Sequence, residues 1–301
     1  MLAYPVRQFL RFARPEPRPD FLSPADFGLV ASPFEIVTVD LVRIAGWAFR
    51  PESPRGVVIL CHSRGTDKSR VLGQAELLFR RGYLVVAFDF RGCGKSGPPP
   101  RRLWGSLWDP LHDLEAVVQH TVDRLLADLP SLRTRIALLG CSFGGNMVIA
   151  HAGHGPRHYP AVIFDSTPLV RWQDMLDTLL RRERRGARWR RVRAAVDWCV
   201  VRAVVLWTRA TPLYNHATRS VSKLAGTVVL HIVGERDNLF DVAESIRFLE
   251  ENCGGETEVW RVRRGRHLTN HLVDPQGYTD RIDAVLTRAF AIPTVRSEEN
   301  A

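Results

Sequence analysis

Short, wholly apolar runs recur along this chain, and most are followed by a stretch with helical spacing. Val57–Cys61 is continuous, apolar and rich in β-branched residues, as a strand buried on both faces is, and Tyr83–Phe88, Ile136–Leu139, Ala161–Phe164 and Thr227–Val233 read as further strands. Arg70–Arg80, Leu111–Leu126, Val242–Glu251 and Tyr278–Phe290 carry apolar residues at helical intervals, and Glu258–Val262 adds a late strand. Strand, helix, strand repeated in this way requires parallel pairing through crossover helices. The expectation is a mostly parallel, doubly wound α/β sheet of about eight strands. Phe34–Asp40 and Val42–Phe49 have no helix between them, so they are expected to pair antiparallel at one edge.

The rhythm breaks between Thr167 and Leu224, a long Arg- and Trp-rich interval that is helical in pattern and offers no strand. The division expected is therefore an N-terminal extension over 1–34, a core domain over 35–166 and 225–292, a helical cap over 167–224, and a tail over 293–301. A chain of 301 residues is long enough to bury a core of that size.

Gly140-Cys141-Ser142-Phe143-Gly144-Gly145 follows one apolar strand directly and precedes a helical segment. A serine on so sharp a strand-to-helix turn takes strained backbone angles, and its neighbours must be tiny. Glycines two before and two after it meet that demand. The turn lifts the hydroxyl above the sheet, and the following helix aims its N-terminal N–H groups at the same place. Ser142 is the expected nucleophile. A serine hydroxyl needs a base to take its proton, and the base needs a carboxylate to orient it and to stabilise its cationic form. Asp237 and His267 follow in the order acid, then histidine. Asp241 and Asp165 remain rivals for the acid, His271 for the base, while His231 reads as a core residue of its strand.

From these motifs the chain is identified as resembling the α/β-hydrolase superfamily, and within it the capped group of serine aminopeptidase-like and acylglycerol lipase-like enzymes. Gly56–Gly65, with His62-Ser63-Arg64, resembles the strand and His-Gly-type loop that supply an oxyanion hole; Asp89-Phe90-Arg91-Gly92-Cys93-Gly94-Lys95-Ser96 matches the superfamily's Asp-x-Arg-Gly-x-Gly-x-Ser signature. Val233–Asp237 resembles the segment bearing the triad acid, and Gly265-Arg266-His267 the late loop bearing the histidine. The resemblance spans about residues 35 to 290. It implies an α/β-hydrolase fold with a helical cap, a triad of Ser142, Asp237 and His267, and an oxyanion hole from the backbone N–H groups of Phe143 and Arg64. Ser63 departs from the usual glycine. It is either strained there or supplies a further hydrogen bond. Arg91-Gly92-Cys93-Gly94 reads as structural, with Arg91 anchoring neighbouring carboxylates.

The implied activity is cleavage of a carboxylic ester or related acyl substrate through an acyl-enzyme. Peptide or amide hydrolysis and acyl transfer by the same triad are alternatives, as is a non-catalytic binding protein on the same fold. No GxGxxG follows a strand, and the five cysteines form no CxxC pair. Neither a cofactor nor a metal is expected, and a reducing, cytoplasmic setting fits that cysteine pattern. Eight arginines and one glutamate lie between Arg181 and Arg193, so this segment alone supplies most of the net charge of +10. A solvated cap helix, attraction of an anionic substrate and docking on an acidic membrane surface are the readings of that run. Nothing resembles a nucleic-acid-binding fold, and no nucleic-acid partner is expected.

Overall fold

The structure, a computed structural model, describes residues 20–98, 110–170 and 211–292, together with Cys199. Eight strands form one sheet: β1 (Ser32–Val37), β2 (Arg43–Phe49), β3 (Val57–Cys61), β4 (Leu84–Phe88), β5 (Ile136–Cys141), β6 (Ala161–Asp165), β7 (Val228–Gly234) and β8 (Glu256–Val262). Their order is β1-β2-β4-β3-β5-β6-β7-β8. β1 pairs antiparallel with β2, and β2 with β4; all other neighbours are parallel.

Alternate residues of each central strand enter two different cores. Val57, Ile59 and Cys61 of β3 join one cluster, whereas Val58 and Leu60 join the other. The first lies under α2 (Pro110–His120), α3 (Phe143–His154), α4 (Thr211–Ser220) and α5 (Val242–Asn252), which contribute Leu114, Met147, Ala217 and Leu249. The second lies under α1 (Leu72–Arg80) and α7 (Pro275–Ala291), which follows the short α6 (Asn270–Val273), through Leu72, Leu78, Tyr278, Ile282 and Leu286. A sheet covered on both faces needs strands that are apolar on both faces, and burial of each such side chain contributes about 1.5–3 kcal/mol.

Several boundaries differ from the sequence reading, each for a local reason. β1 begins at Ser32 and ends at Val37, because Thr38 to Val42 form a turn closed by Thr38 N–H to the Val42 carbonyl and Leu41 N–H to the Thr38 carbonyl. The long helix over Leu111–Leu126 is α-helical only to His120 and continues as a π turn over Thr121–Leu125. There the Thr121 hydroxyl bonds the Val117 carbonyl at 2.7 Å, competing with the helical ladder. α1 starts at Leu72, after a 3₁₀ turn over Lys68–Val71 that is capped by the Asp67 side chain.

Residues 20–31, read as part of an extension, lie against the core. Phe21 and Leu22 donate backbone N–H groups to Ser69 Oγ, and Leu29 is buried. At the far end of the interval read as a cap, α4 packs on α3: Ser220 Oγ meets His154 Nδ1 at 2.9 Å, and Ser220 crowds Gly153. The intervening cap expectation, including Arg181–Arg193, lies outside the described residues. Among those described, no helix is long and apolar enough to cross a membrane.

Candidate active site

β5 is buried along its whole length and delivers Ser142 at the carboxyl end of the sheet's centre. Ser142 sits at φ 51°, ψ −110°, a conformation that costs an L residue about 1–3 kcal/mol. Its surroundings hold it there. The Ser142 N–H donates to the Asp165 carbonyl at 2.8 Å, and its own carbonyl accepts from Gly145 N–H at 2.9 Å and Thr167 Oγ1 at 3.2 Å. A Cβ on Gly144 would stand 2.2 Å from the Cys61 carbonyl oxygen, and one on Gly140 would stand 2.3 Å from the Gly144 backbone. Both obstacles are backbone atoms, which cannot swing aside, so only glycine fits either position.

Three loops meet at this serine. His267 Nε2 lies 3.1 Å from Ser142 Oγ, and His267 Nδ1 lies 2.7 Å from Asp237 Oδ2. An ionised carboxylate can only accept, so the imidazole carries its hydrogen on Nδ1 and presents a lone pair to the hydroxyl. The Asp237 side chain is fully buried, and its other oxygen accepts Leu239 N–H at 3.0 Å. The turn after β7 that carries it closes through Asp237 N–H to the Gly234 carbonyl, and ties to the histidine loop through Arg236 N–H to the Gly265 carbonyl. The histidine loop is held from below as well: Ser166 Oγ accepts Leu268 N–H at 3.0 Å, and buried Asn270 donates to Asp165 Oδ1 at 2.6 Å. Phe240 stands edge-on to the imidazole at 6.4 Å.

The rival residues take other positions. Asp165 is fully buried beneath the histidine loop, bonded to Asn270 and Ser166, and burial pushes its carboxyl up to about 6. Asp241 caps α5 by accepting Glu244 N–H. His271 meets Gln74 Nε2 at 3.1 Å, and burial lowers it to about 4. His231 faces the Thr167 carbonyl inside the core, where burial lowers it to about 3.

Phe143 is the first residue of α3, directly after Ser142, so its N–H opens the helix. The Arg64 guanidinium lies 4.8 Å above the Phe143 ring, which brings the β3 loop beside the elbow. His62 is neutral and structural: Nδ1 faces the Ser63 carbonyl at 2.8 Å, Nε2 accepts Phe90 N–H at 3.0 Å, and burial lowers its pKa. Ser63 does not take positive φ, so the strain considered for it is absent. Its hydroxyl pairs with Thr66 Oγ1 at 3.1 Å. Arg91 binds Asp113 and Asp40, which makes that motif a structural clasp.

Among the described residues, one set of metal-ligating groups converges: Asp20, Asp67 and Asp89. Lys68 Nζ already bridges Asp20 and Asp89 at 2.6 and 2.7 Å, so the cluster's counter-cation is a side chain. Cys61, Cys93 and Cys141 are buried, and burial raises their thiols, Cys93 to about 12, so none is poised as a thiolate. Ser166 and Asn270 escaped the sequence reading. The one available signal was a run of polar residues, Asp165-Ser166-Thr167, directly after a wholly apolar strand.

The family model described as serine aminopeptidase, S33, matches residues 52–224, more than half of the chain. The monoacylglycerol lipase of Mycolicibacterium smegmatis is 34% identical over 140 residues, covering 46% of this chain and 47% of that protein. The polyketide transferase grgF of a Penicillium species is 30% identical over 145 residues, covering 46% of this chain and 47% of that protein. The chain thus spans about half the length of the curated relatives it matches. The solved esterase Pf2001 of Pyrococcus furiosus superposes with a TM-score of 0.69 at 23% identity, covering 91% of this chain and 99% of that one. With the strand order above, that likeness identifies the architecture as the α/β-hydrolase fold.

Proposed function

This chain belongs to the serine aminopeptidase family, S33, and from that membership we propose that it hydrolyses a carboxylic ester or related acyl substrate through an acyl-enzyme on Ser142. The observation that carries the reading is the unbroken hydrogen-bond chain from Asp237 through His267 to Ser142 Oγ.

His267 Nε2 takes the hydroxyl proton as Ser142 Oγ attacks the acyl carbon. Asp237 holds the ring in the tautomer that leaves Nε2 free and stabilises the imidazolium as it forms. The backbone N–H groups of Phe143 and Arg64 are assigned to hold the developing alkoxide. Donors fixed in place before the reaction contribute about 2.7–4 kcal/mol each to such a transition state. The imidazolium then returns its proton to the leaving alcohol, and a water deprotonated by His267 releases the acid in the second half.

A second reading, transfer of the acyl group to an acceptor other than water, is favoured by the likeness to the polyketide transferase. The first half-reaction is the same, and the competition for the acyl-enzyme decides the outcome. Steady-state assays with p-nitrophenyl esters of two to ten carbons, and with a peptide p-nitroanilide, test the proposal. Ester turnover that exceeds anilide turnover and disappears in Ser142→Ala is expected. Background rates on every ester in folded protein, with no acyl transfer to added alcohol or amine, would leave a non-catalytic binding protein.

A further inference from the structure

Strand β8 is an edge of the sheet and runs straight into the loop that carries His267. Arg261 lies on its end, and Arg263, Arg264 and Arg266 follow in the turn and loop beyond it. All four are exposed. None makes an ion pair with a described residue, whereas Arg281 and Arg288 beside the same strand are paired with Glu258 and Glu256. No aspartate or glutamate occurs from Val259 to Val273.

These side chains surround a groove of about 490 Å³ lined by Trp260, Arg261, Arg263, Arg264, Val273 and Asp274. Asp274 is its sole carboxylate and is already engaged, with Oδ1 accepting Gly277 N–H at 2.9 Å as the cap of α7. Trp260 is held by neighbours, its ring 6.2 Å from Tyr278 and 5.7 Å beneath the Arg281 guanidinium. Arg264 takes φ 66°, where glycine or asparagine would be at ease, so the backbone spends strain to present an arginine there.

Charges along an edge strand deter pairing with another sheet, and Arg261 on β8 suffices for that. It leaves Arg264, the groove and the missing carboxylates unexplained. Three guanidinium groups around one concavity repel each other. An anion with several acceptor oxygens turns that repulsion into charge-assisted, forked hydrogen bonds. We propose that this groove binds a phosphate group, carried either by a lipid headgroup or by a small soluble phosphate ester, beside the histidine loop. The site is separate from Ser142 and stands whether or not that serine is the nucleophile.

The test uses the full chain and the variant Arg261→Gln/Arg263→Gln. Both proteins are titrated with glycerol 3-phosphate by calorimetry, and sedimented with phosphatidylcholine vesicles that contain or lack phosphatidic acid. The wild type is expected to bind at least one phosphate-bearing probe, more weakly as salt rises, with little binding to pure phosphatidylcholine. The double variant is expected to bind roughly tenfold more weakly or worse, with an unchanged circular-dichroism spectrum and melting temperature as the check on folding. Arg263→Lys, which keeps the charge and loses the fork, is expected to fall between the two. Loss of glycerol phosphate binding in the variant identifies a soluble ester as a competent ligand. Loss confined to the acidic vesicles identifies the headgroup. Wild-type protein that binds neither probe, or a variant that binds as the wild type does, overturns the proposal, the latter by placing the anion seat elsewhere on the chain.

Discussion

Replacing His267 by alanine is expected to lower kcat for ester hydrolysis by about 10⁴- to 10⁶-fold with little change in KM, because the base acts on the transition state and contributes little to ground-state binding. Asp237→Asn should cost about 10⁴-fold, since an amide in place of the carboxylate that meets His267 Nδ1 at 2.7 Å no longer fixes the productive tautomer. The rival residues provide the contrast. His271 sits against Gln74, and Asp165 bonds to Asn270 and Ser166. His271→Ala and Asp165→Asn should therefore act through the loop's position and reduce kcat far less, by roughly tenfold at most, the scale of one lost neutral hydrogen bond. Stopped-flow or steady-state kinetics on the four purified variants measure this ordering. A larger loss at Asp165 than at Asp237 would move the acid to β6.

The second large effect concerns stability. Lys68 is 1% exposed, and its ammonium lies between Asp20 and Asp89 with the Trp47 ring 4.3 Å away. Asp89 also accepts the backbone N–H groups of Lys68 at 2.7 Å and Lys95 at 2.8 Å, so one carboxylate closes two turns and neutralises one buried cation. Asp89→Ala leaves that cation with Asp20 alone and both amides without their acceptor. The expected cost is about 3–5 kcal/mol. For a chain of this size each kcal/mol lowers Tm by about 2–4 °C, so calorimetry should record a fall of roughly 6–20 °C. A shift below about 2 °C would mean that the pair contributes nothing beyond a surface ion pair.

Much of this arrangement was readable from residue order because it rests on local rules. A short, apolar, β-branched-rich run such as Val57–Cys61 reads as a strand covered on both faces, and both cores take alternate residues from it. The elbow was legible because Gly140 and Gly144 stand where an added Cβ would come within 2.3 and 2.2 Å of backbone atoms, so no side chain fits either position. Asp237 and His267 were legible as positions after strands, where a parallel sheet presents residues to a crevice.

Other features depended on partners far away in the chain. Asn270 reaches Asp165 across 105 residues, and a lysine between an aspartate and a serine in a loop carries no local mark of full burial. The end of α2 at His120 was hidden for a different reason: Thr121 is acceptable in a helix by pattern, and its hydroxyl, bonded to the Val117 carbonyl, loosens the ladder only once the turn has formed. The arginine groove is invisible in composition, since most of the net charge of +10 comes from Arg181–Arg193. It is defined by the lack of any carboxylate from Val259 to Val273 and by the concavity that the end of β8 shares with Val273.

Intact-mass spectrometry after treatment with a fluorophosphonate, followed by peptide mapping, bears most directly on the hydroxyl that meets the His267 imidazole at 3.1 Å. One adduct per chain, located on Ser142 and lost in Ser142→Ala and His267→Ala, is the result expected. An adduct on another residue, or undiminished labelling of folded Ser142→Ala, would contradict the assignment of Ser142 as the nucleophile.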